Sequence, residues 1–346
     1  MLVKNYSQIL KGTYSLIDLR SNKEYIKGSL PHSVNIPILD DSEREKVGIE
    51  YVKFGKKAAI NMGENLVSES KKEKRVDLWI NHLKEFPNSI FYCMRGGLRS
   101  QIAQSWLKEK GVEVPIVIGG YKKLRSECIN IHNSIKKLNQ NWIIIGGKTG
   151  SGKTNLIEKI SNSIDLEKIA NHRGSAFGAK SSFQPTTINF ENNLAIELLK
   201  KDNKEYLVME DESRSIGKRI IPEIWYQKMK ESEVYILKTS LEERIFNIRK
   251  EYIENIIQRN IAKEILKNSI LDSLTKIKKK LGGANFNEIA NIIYKSFLND
   301  NLDNHNQWIE KLLTLYYDPM YDYQLLKKKD RVTFSGNFIE IKSKLN

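Results

Sequence analysis

The chain has 346 residues, of which 40% are hydrophobic and 29% charged, with a formal net charge of +15 and two cysteines. This composition provides a core and a solvated surface, and it excludes a collagen-like chain, a disordered chain and a disulfide framework. The longest apolar runs are too short to cross a bilayer, and the first residues lack the apolar segment of a signal peptide. We therefore expect a reduced, cytoplasmic protein that makes no membrane contact. Positive charge spread over both halves favours a polyanionic partner, nucleic acid above all, although a lysine-rich proteome would give the same balance.

Short apolar segments alternate with longer amphipathic ones along the chain. The segments that predict buried strands are 15–19, 90–93, 116–118, 142–145, 206–209 and 234–237. Most are followed by a glycine-rich or polar turn and then by a helical period, which is typical of parallel sheets covered by helices. The pattern therefore predicts an α/β fold.

A domain boundary is predicted where a polar amphipathic helix over 126–140 leads into the strand at 142. We expect a first domain over residues 1–137 and a second over 138–346, whose α/β core covers 138–240. From 241 onward the sequence predicts lysine-, isoleucine- and leucine-rich helices, with one late strand at 332–334.

The first candidate site lies where the strand at 90–93 ends. Cys93 is followed by Met-Arg-Gly-Gly-Leu-Arg-Ser, so that two glycines permit a tight loop before a helix over 101–107. Backbone N–H groups at such a turn can bind an anion, and the same field, with Arg95 and Arg99, favours an exposed thiolate nucleophile. Cys128 lacks this context in its helical segment, and we expect it to be structural.

Residues upstream of this cysteine complete a known pattern. They read Asp18-Leu-Arg20, then Glu24-Tyr25, then Gly28-Ser-Leu-Pro-His-Ser-Val-Asn35-Ile-Pro37, and Ile118-Gly-Gly-Tyr121 follows later. This pattern resembles the rhodanese domain over about residues 1–135. The resemblance implies that Cys93 accepts sulfur or selenium as a persulfide or selenosulfide.

The second candidate site lies after the strand at 142–145. Residues 147–154 read Gly-Lys-Thr-Gly-Ser-Gly-Lys-Thr and match the P-loop pattern G-x-x-x-x-G-K-[ST], with a strand before it and a helix over 155–161 after it. Gly147, Gly150 and Gly152 expose backbone donors to phosphate. Lys153 can reach a terminal phosphate, and Thr154 can hold Mg²⁺.

The apolar strand at 206–209 ends in three acids, Glu210, Asp211 and Glu212. They can position Mg²⁺ or act as a base, and we expect Asp211 or Glu210 to be the acid linked to Mg²⁺. Nothing in the P-loop distinguishes ATP from another diphosphate ester.

A rhodanese-like segment followed by a P-loop is an unusual pairing, and further stretches match one family. These stretches are 164–167, 171–178, 184–185, 190–192, 210–217 with Pro222, and 316–321. The chain resembles the tRNA 2-selenouridine synthases over nearly its whole length. The fold implied is an N-terminal rhodanese-like parallel-sheet domain followed by a P-loop NTPase-like α/β domain with a helical C-terminal region.

The resemblance implies a two-step exchange at the wobble uridine of a tRNA that carries 2-thiouridine. Geranyl diphosphate alkylates the sulfur, and selenium from selenophosphate then replaces the geranylthio group. These two compounds are the co-substrates, Mg²⁺ is a candidate metal, and the tRNA and selenophosphate synthetase are the expected partners.

The resemblance also implies residue roles. Cys93 carries selenium, Arg95 and Arg99 hold its anionic donor, and the P-loop with Asp211 cradles the diphosphate. The candidates for phosphate or uridine contact are His172, Arg173 and Arg214. The basic helices over 244–280 can track tRNA and the aromatic residues over 316–323 can stack on bases or a prenyl chain, although a solvated face and a core are the plainer explanations.

Two other functions stay open at this stage. The loop from Cys93 to Arg99 is one residue longer than in typical sulfurtransferases and matches rhodanese-like phosphatases. The main alternative is therefore a rhodanese-type phosphatase or sulfurtransferase with a regulatory P-loop domain. An NTP-dependent kinase whose rhodanese half only binds a partner is the other alternative. Dependence of one tRNA product on both Cys93 and Lys153 would exclude both.

Overall fold

The computed structural model describes residues 2–175, 177–178, 182–201, 205–258, 261–298 and 301–345. Its strands are β1 (Leu2–Val3), β2 (Ser15–Asp18), β3 (Ser33–Asn35), β4 (Ser89–Tyr92), β5 (Ile116–Val117), β6 (Asn141–Gly146), β7 (Ser163–Ile164), β8 (Tyr206–Glu210), β9 (Ser215–Ile216), β10 (Arg219–Ile220), β11 (Glu233–Leu237) and β12 (Val332–Gly336).

Its α-helices are α1 (Tyr6–Lys11), α2 (Asn22–Lys27), α3 (Asp41–Leu66), α4 (Glu69–Glu85), α5 (Leu98–Glu109), α6 (Gly120–Ser134), α7 (Lys153–Glu158), α8 (Leu166–Ala170), α9 (Thr187–Lys200), α10 (Glu223–Glu231), α11 (Leu241–Arg249), α12 (Asn255–Ile257), α13 (Lys263–Leu281), α14 (Gly283–Ser296), α15 (Asn306–Leu312), α16 (Asp318–Leu326) and α17 (Phe338–Leu345). Short 3₁₀ helices lie at Ile135–Lys137, Leu302–His305 and Lys329–Arg331, and π-helical turns lie at Lys250–Glu254 and Leu313–Tyr317.

The chain divides into two compact units. The first comprises Met1–Ile135 and Pro185–Asp202, and the second comprises Lys136–Gln184 and Asn203–Asn346. Helix α9 therefore belongs to the first unit, although its sequence follows the P-loop of the second.

The first unit is built on a five-stranded parallel sheet with the order β1-β5-β4-β2-β3. Its inner strands are apolar on both faces because helices cover both sides. One side of the core includes Leu16 and Ile90 with Ile196 of α9, and the other includes Phe91 and Trp79 of α4. The carboxyl end of β4, the middle strand, carries Cys93.

The second unit has its own five-stranded parallel sheet, with the order β12-β11-β6-β8-β7, and a small antiparallel pair, β9 with β10. The P-loop follows β6, the middle strand. Helices from α11 to α16 form a separate apolar core around residues such as Leu274, Ile289 and Trp308. No helix in the described ranges has the length and apolar character needed to span a membrane.

The structure confirms the predicted α/β fold with parallel sheets and a largely helical end. Each predicted strand is present. Five strands of two or three residues each were not predicted: β1, β3, β7, β9 and β10. The helix expected over 126–140 is α6, which begins earlier, at Gly120, and ends at Ser134. Within the basic region over 244–280, residues 259–260 lie outside the described residues.

Candidate active site

The loop after Cys93 is closed by the backbone of the turn that begins α6. The Tyr121 amide donates to the Cys93 carbonyl at 2.8 Å, and the Lys122 amide donates to the Met94 carbonyl at 2.9 Å. Gly120 has a φ of +54°, and a Cβ there would lie 2.2 Å from the Cys93 carbonyl oxygen. This position therefore requires glycine.

Cys93 itself is buried, with an exposed fraction of 3%. The expectation of an exposed nucleophile is wrong for this structure, because the strand end and the closing turn cover the residue. Arg95 is exposed and has no ion pair among the described residues, so that it is available to an anion.

Arg99 is engaged elsewhere. Its guanidinium forms two hydrogen bonds to the Glu24 carboxylate, at 2.7 and 3.2 Å, and Arg44 lies 3.7 Å from the same group. Burial alone would raise the pKa of Glu24, but the hydrogen bonds and charge of Arg99 outweigh burial and lower it. In this structure Arg99 therefore ties α5 to α2, and its role as a donor ligand stays a prediction.

The residues of the rhodanese-like motif upstream of Cys93 form a buried hydrogen-bond network. The Arg20 guanidinium donates to both Asp18 oxygens, at 3.0 Å to Oδ1 and 2.6 Å to Oδ2, and to the Gly28 carbonyl at 2.8 Å. It also lies 3.7 Å from the ring centroid of Tyr121. Asn35 donates to the backbone carbonyls of Asp18 and Arg20. A buried ion pair is stable only when its remaining donors and acceptors are satisfied in this way.

The P-loop wraps around the start of α7. Lys153 opens the helix, and its Nζ donates to the Gly147 carbonyl at 2.7 Å, spanning the loop. Gly150 and Gly152 have φ values of +82° and +85°, the left-handed conformation that lets successive amides point inward. This is the geometry of a phosphate cradle.

Helix α11 anchors the outside of the P-loop. Arg244 donates to the Thr149 carbonyl at 2.9 Å and is held by two hydrogen bonds, 2.5 and 3.0 Å long, to Asp318. Asn247 donates to the Gly150 carbonyl at 3.0 Å. Because Arg244 is buried, removing Asp318 would leave an uncompensated charge under the loop.

Two acids lie beside the P-loop: Glu167, to which the sequence analysis gave no role, and Glu212, the last of the three acids at the end of β8. Thr154 Oγ1 donates to Glu167 at 3.3 Å, and Glu167 also accepts from the Gly174 amide. Burial raises the pKa of Glu212 to about 8, with the charge of Glu167 adding to the rise and that of Lys153 opposing it. The apolar strand before Glu212 and its place in an acidic triplet were the available sequence signals.

The two acids expected to serve Mg²⁺ have other partners. Asp211 accepts hydrogen bonds of 2.6 and 2.5 Å from Lys328. Glu210 is buried, accepts from the Leu166 amide at 3.1 Å, and has a pKa well above the usual value because of burial and the nearby acids. A metal-binding role for Asp211 stays a prediction.

The oxygens around Thr154 suit Mg²⁺, which prefers hard oxygen ligands and usually completes its shell with phosphate and water. The described residues contain no group of three or more histidine, cysteine or acidic side chains that could hold a metal without such help. The Thr154 hydroxyl and the Glu167 carboxylate therefore fit a metal that arrives with a diphosphate.

The candidate arginines in the second unit pair with acids. Arg173 forms an ion pair with Glu251 and lies over the ring of Tyr252, 4.7 Å from its centroid. Arg214 is exposed and pairs with Glu223 at 2.7 Å. The two arginines have different acidic partners, and their contact with phosphate or uridine stays a prediction.

His172 is half-buried in the segment that follows α8. Its ring packs so closely on Gly217 that a Cβ there would lie 2.7 Å from it. Gln184 bonds the carbonyls of Ala170 and Ile216 and so ties the same segments together. His172 therefore packs against the backbone at Gly217, and its contact with a substrate stays a prediction.

The aromatic segment over 316–323 divides between core and surface. Tyr317 is buried in the helical core, whereas Tyr323 is exposed, with the Lys327 amine 4.2 Å from its ring centroid. In the basic region, Arg244 and Arg249 are paired with acids, and the lysines at the end of α13 are exposed, with Lys278 lying over the ring of Phe286.

Fold and site together define a two-unit α/β protein, with a cysteine loop on one parallel sheet and a P-loop on the other. Residues 3–127 match the rhodanese-like domain, and residues 140–346 match the tRNA 2-selenouridine synthase AAA domain.

Named relatives agree with these matches. A tRNA 2-selenouridine synthase of Shewanella frigidimarina (strain NCIMB 400) is 39% identical, with 96% of this chain and 94% of the relative covered. One of Shewanella oneidensis (strain MR-1) is 41% identical, with 96% and 92% covered. The chain belongs to the tRNA 2-selenouridine synthase family. This confirms the resemblance and the prediction that the chain is an enzyme.

Proposed function

We propose that this enzyme converts wobble 2-thiouridine in tRNA into 2-selenouridine through an S-geranylated intermediate. The observation that carries the proposal is the pair of anion-binding loops on one chain, each at the carboxyl end of the middle strand of a parallel sheet. Ligands of open parallel sheets bind at such strand ends. Two anionic co-substrates, geranyl diphosphate and selenophosphate, match two such loops.

The first step would use the P-loop. The thiocarbonyl sulfur attacks the first carbon of the geranyl chain, the carbon–oxygen bond breaks, and pyrophosphate leaves. The amides of the loop and the Lys153 amine, which now bonds the Gly147 carbonyl, would stabilise the charge of the leaving group. A Mg²⁺ held by Thr154 and Glu167 would add positive charge at the same phosphates.

The second step would use the Cys93 loop. Arg95, which is exposed, and the loop amides beside Cys93 would hold selenophosphate by its phosphate portion, and the Cys93 thiol would help to position this donor. The selenium atom of selenophosphate would attack C2 of the geranylated uridine, and geranylthiolate would leave. Water would then break the selenium–phosphorus bond and release phosphate. Selenophosphate synthetase is the expected supplier of this labile donor, and the cytoplasm is the expected compartment.

Nucleoside mass spectrometry tests this assignment. A tRNA with 2-thiouridine is incubated with the protein, geranyl diphosphate, Mg²⁺ and selenophosphate. Cys93→Ala should stop at the geranylated nucleoside, and Lys153→Ala should lose both steps. Cys128→Ala, a change of the buried cysteine in α6, and Lys159→Ala, a change of an exposed lysine after α7, are the matched controls and should retain both steps.

If no nucleoside changes mass, the proposed function is wrong. Release of phosphate from a small phosphoester by the same preparation would then favour the phosphatase alternative. Selenium incorporation that survives Cys93→Ala would overturn the requirement for Cys93 while leaving the overall reaction in place.

A further inference from the structure

Helix α3 of the first unit folds back on itself. Its backbone leaves the helical conformation at Gly55, where φ is +84°, a value that favours glycine. Val47 and Gly63 would lie about 24 Å apart on a straight helix. A Cβ on Gly63 would nevertheless lie only 3.8 Å from the Val47 side chain. The two halves of α3 therefore form a helical hairpin, whose apex is residues 51–57.

The two ends of α3 meet at Lys71. The Lys71 amine donates to the Glu43 carboxylate at 2.8 Å and to the Leu66 carbonyl at 3.2 Å, so that it joins the beginning of the helix to its end. Arg75 also donates to Glu43, at 2.6 Å. These bonds anchor the base of the hairpin to α4 and place the apex at the opposite end.

The base of the hairpin is also tied to the end of the Cys93 loop. Arg44, near the beginning of α3, lies 3.7 Å from Glu24, the carboxylate that binds Arg99. From Arg44 to Phe54 the helix rises about 15 Å. The apex and the Cys93 loop therefore belong to one unit and are connected through a short rigid element.

The apex is exposed and carries both apolar and cationic side chains. Tyr51, Val52 and Phe54 are 58%, 84% and 68% exposed. Residues 51–57 contain no acid. Three lysines of the apex are exposed as well: Lys53, Lys56 and Lys57. Within the part of the chain that the structure describes, none of these lysines pairs with an acid.

The apex does not pack on the rest of the unit. A Cβ on Gly55 would meet no other described atom within 4 Å. Apolar side chains exposed singly are common on protein surfaces, whereas several large ones together mark an interaction site. The three apolar side chains of the apex lie within four consecutive positions, so they form such a patch.

The chemistry of the apex matches single-stranded RNA. Aromatic faces stack on unpaired bases, and lysines beside them bind the phosphates that connect those bases. The cationic apex complements that polyanion, as does the net charge of +15 of the chain. A helix lying on a membrane needs an apolar face several turns long, whereas the apolar side chains of the apex occupy a single turn.

We propose that the apex of the α3 hairpin binds a single-stranded segment of the substrate tRNA. Tyr51 and Phe54 stack on its bases, and the three lysines of the apex bind its phosphates. The inference rests on the proposed function for the identity of the RNA, whose wobble uridine lies in the single-stranded anticodon loop. It assigns part of tRNA binding to the unit that carries the Cys93 loop.

Fluorescence anisotropy with the intact protein tests the stacking. The probes are a labelled uridine decamer, the same decamer in a duplex, and a labelled tRNA with uridine at the wobble position. Tyr51→Ala and Phe54→Ala should each weaken binding of the single-stranded decamer about tenfold, since one stacked base is worth about that much. Phe54→Leu should weaken it equally, because leucine keeps the apolar surface but cannot stack. Phe86→Ala, which removes an aromatic side chain exposed elsewhere in the same unit, is the matched control and should bind as the wild type does.

The salt dependence of binding tests the lysines. Lys53→Ala, Lys56→Ala and Lys57→Ala together should reduce the slope of log affinity against log salt by about 2, because each phosphate contact on a single strand contributes about 0.7. The control variant has alanine at three other exposed lysines of the same unit: Lys74, Lys84 and Lys108. It loses the same charge and should keep the wild-type slope. Thermal melting should show every variant folded, because all the replaced side chains are exposed.

The outcomes separate this inference from the proposed function. Unchanged affinity for the decamer in Tyr51→Ala and Phe54→Ala, or no binding by the wild type, overturns the RNA surface even if 2-selenouridine is formed. Full affinity in Phe54→Leu overturns the stacking. Binding to phosphatidylglycerol vesicles that is lost in Tyr51→Ala, with RNA binding unchanged, overturns the proposal in favour of a membrane. Weakened RNA binding in the apex variants, without any modified nucleoside from the wild type, supports the surface and overturns the proposed function.

Discussion

The acids at the end of β8 lie close enough to the P-loop for the charge of Lys153 to act on Glu212. Glu212 and Glu210 both have raised pKa values, chiefly because burial disfavours their charged forms and neighbouring acids add to this. A protonated Glu212 would repel an incoming diphosphate less than an ionised one. Because Glu212 binds a proton more tightly in the folded state than in the unfolded state, it also makes the stability of the folded protein depend on pH.

Glu212→Gln should make stability less dependent on pH. The pKa of Glu212 rises from an ordinary 4.5 to about 8 in the folded state, so the folded chain retains a proton that the unfolded chain has released. Its contribution to stability is complete below about pH 4.5 and is lost as pH rises through about 8. The Gln variant should show a smaller fall in Tm over this interval by calorimetry.

Glu223→Gln is the control for that experiment. Glu223 is exposed and pairs with Arg214 on the surface, so its removal should leave the slope of Tm against pH unchanged. A Glu212→Gln profile that runs parallel to the wild-type profile would contradict the raised pKa.

Among the elements, the turn between β5 and α6 determines the shape of the Cys93 loop. Gly96 and Gly120 allow two backbone segments to meet without side chains between them: a Cβ on Gly96 would lie 2.3 Å from the Val117 carbonyl oxygen. The geometry around the cysteine is therefore fixed by a contact between segments that are distant in sequence.

Gly120→Ala should misplace the Cys93 loop and selectively reduce selenium incorporation. A displacement of about 1 Å can cost about a hundredfold in rate, whereas geranylation, which uses the other loop, should continue. Gly97→Ala is the matched control, because Gly97 does not have a positive φ and a Cβ there would meet nothing within 4 Å. Nucleoside mass spectrometry with equal loss in both variants would refute this prediction.

The elements that could be predicted are those whose pattern lies within one short stretch of sequence. Strands such as β4 and β6 are apolar throughout and long enough to be recognised, and the P-loop has its own spacing. The strands that were not predicted, β1, β3, β7, β9 and β10, have only two or three residues each and exist through pairing with a neighbour. The pair between Arg99 and Glu24 and the approach of Glu167 to Thr154 depend on tertiary contacts, which periodicity does not encode.

At the scale of the whole molecule, α9 comes from the second half of the sequence and packs in the first unit. Asn189 accepts from the Ser29 amide at 2.7 Å, and Asn192 donates to the Ser29 carbonyl at 2.8 Å. Ala195 and Ile196 join the core beside α6. An amphipathic helix shows in its sequence that one face is buried but not which partner buries it, so this placement could not be predicted.

A fragment of residues 1–137 should be much less stable than the same fragment supplied with a peptide of residues 185–201. Without α9, the apolar face formed by Ile9, Leu10 and Leu124 is open to water, and the Ser29 amide loses its partner. A peptide that binds only the folded fragment stabilises it by about 2.7 kcal/mol at a hundredfold excess over Kd.

Calorimetry should show a saturable rise in the Tm of the fragment as the peptide is added. The peptide with Asn192→Ala should bind more weakly, because Asn192 also accepts a hydrogen bond from Arg125 at 2.8 Å. A Tm unaffected by either peptide would mean that the first unit is complete without the helix, and that α9 contributes no stability to it.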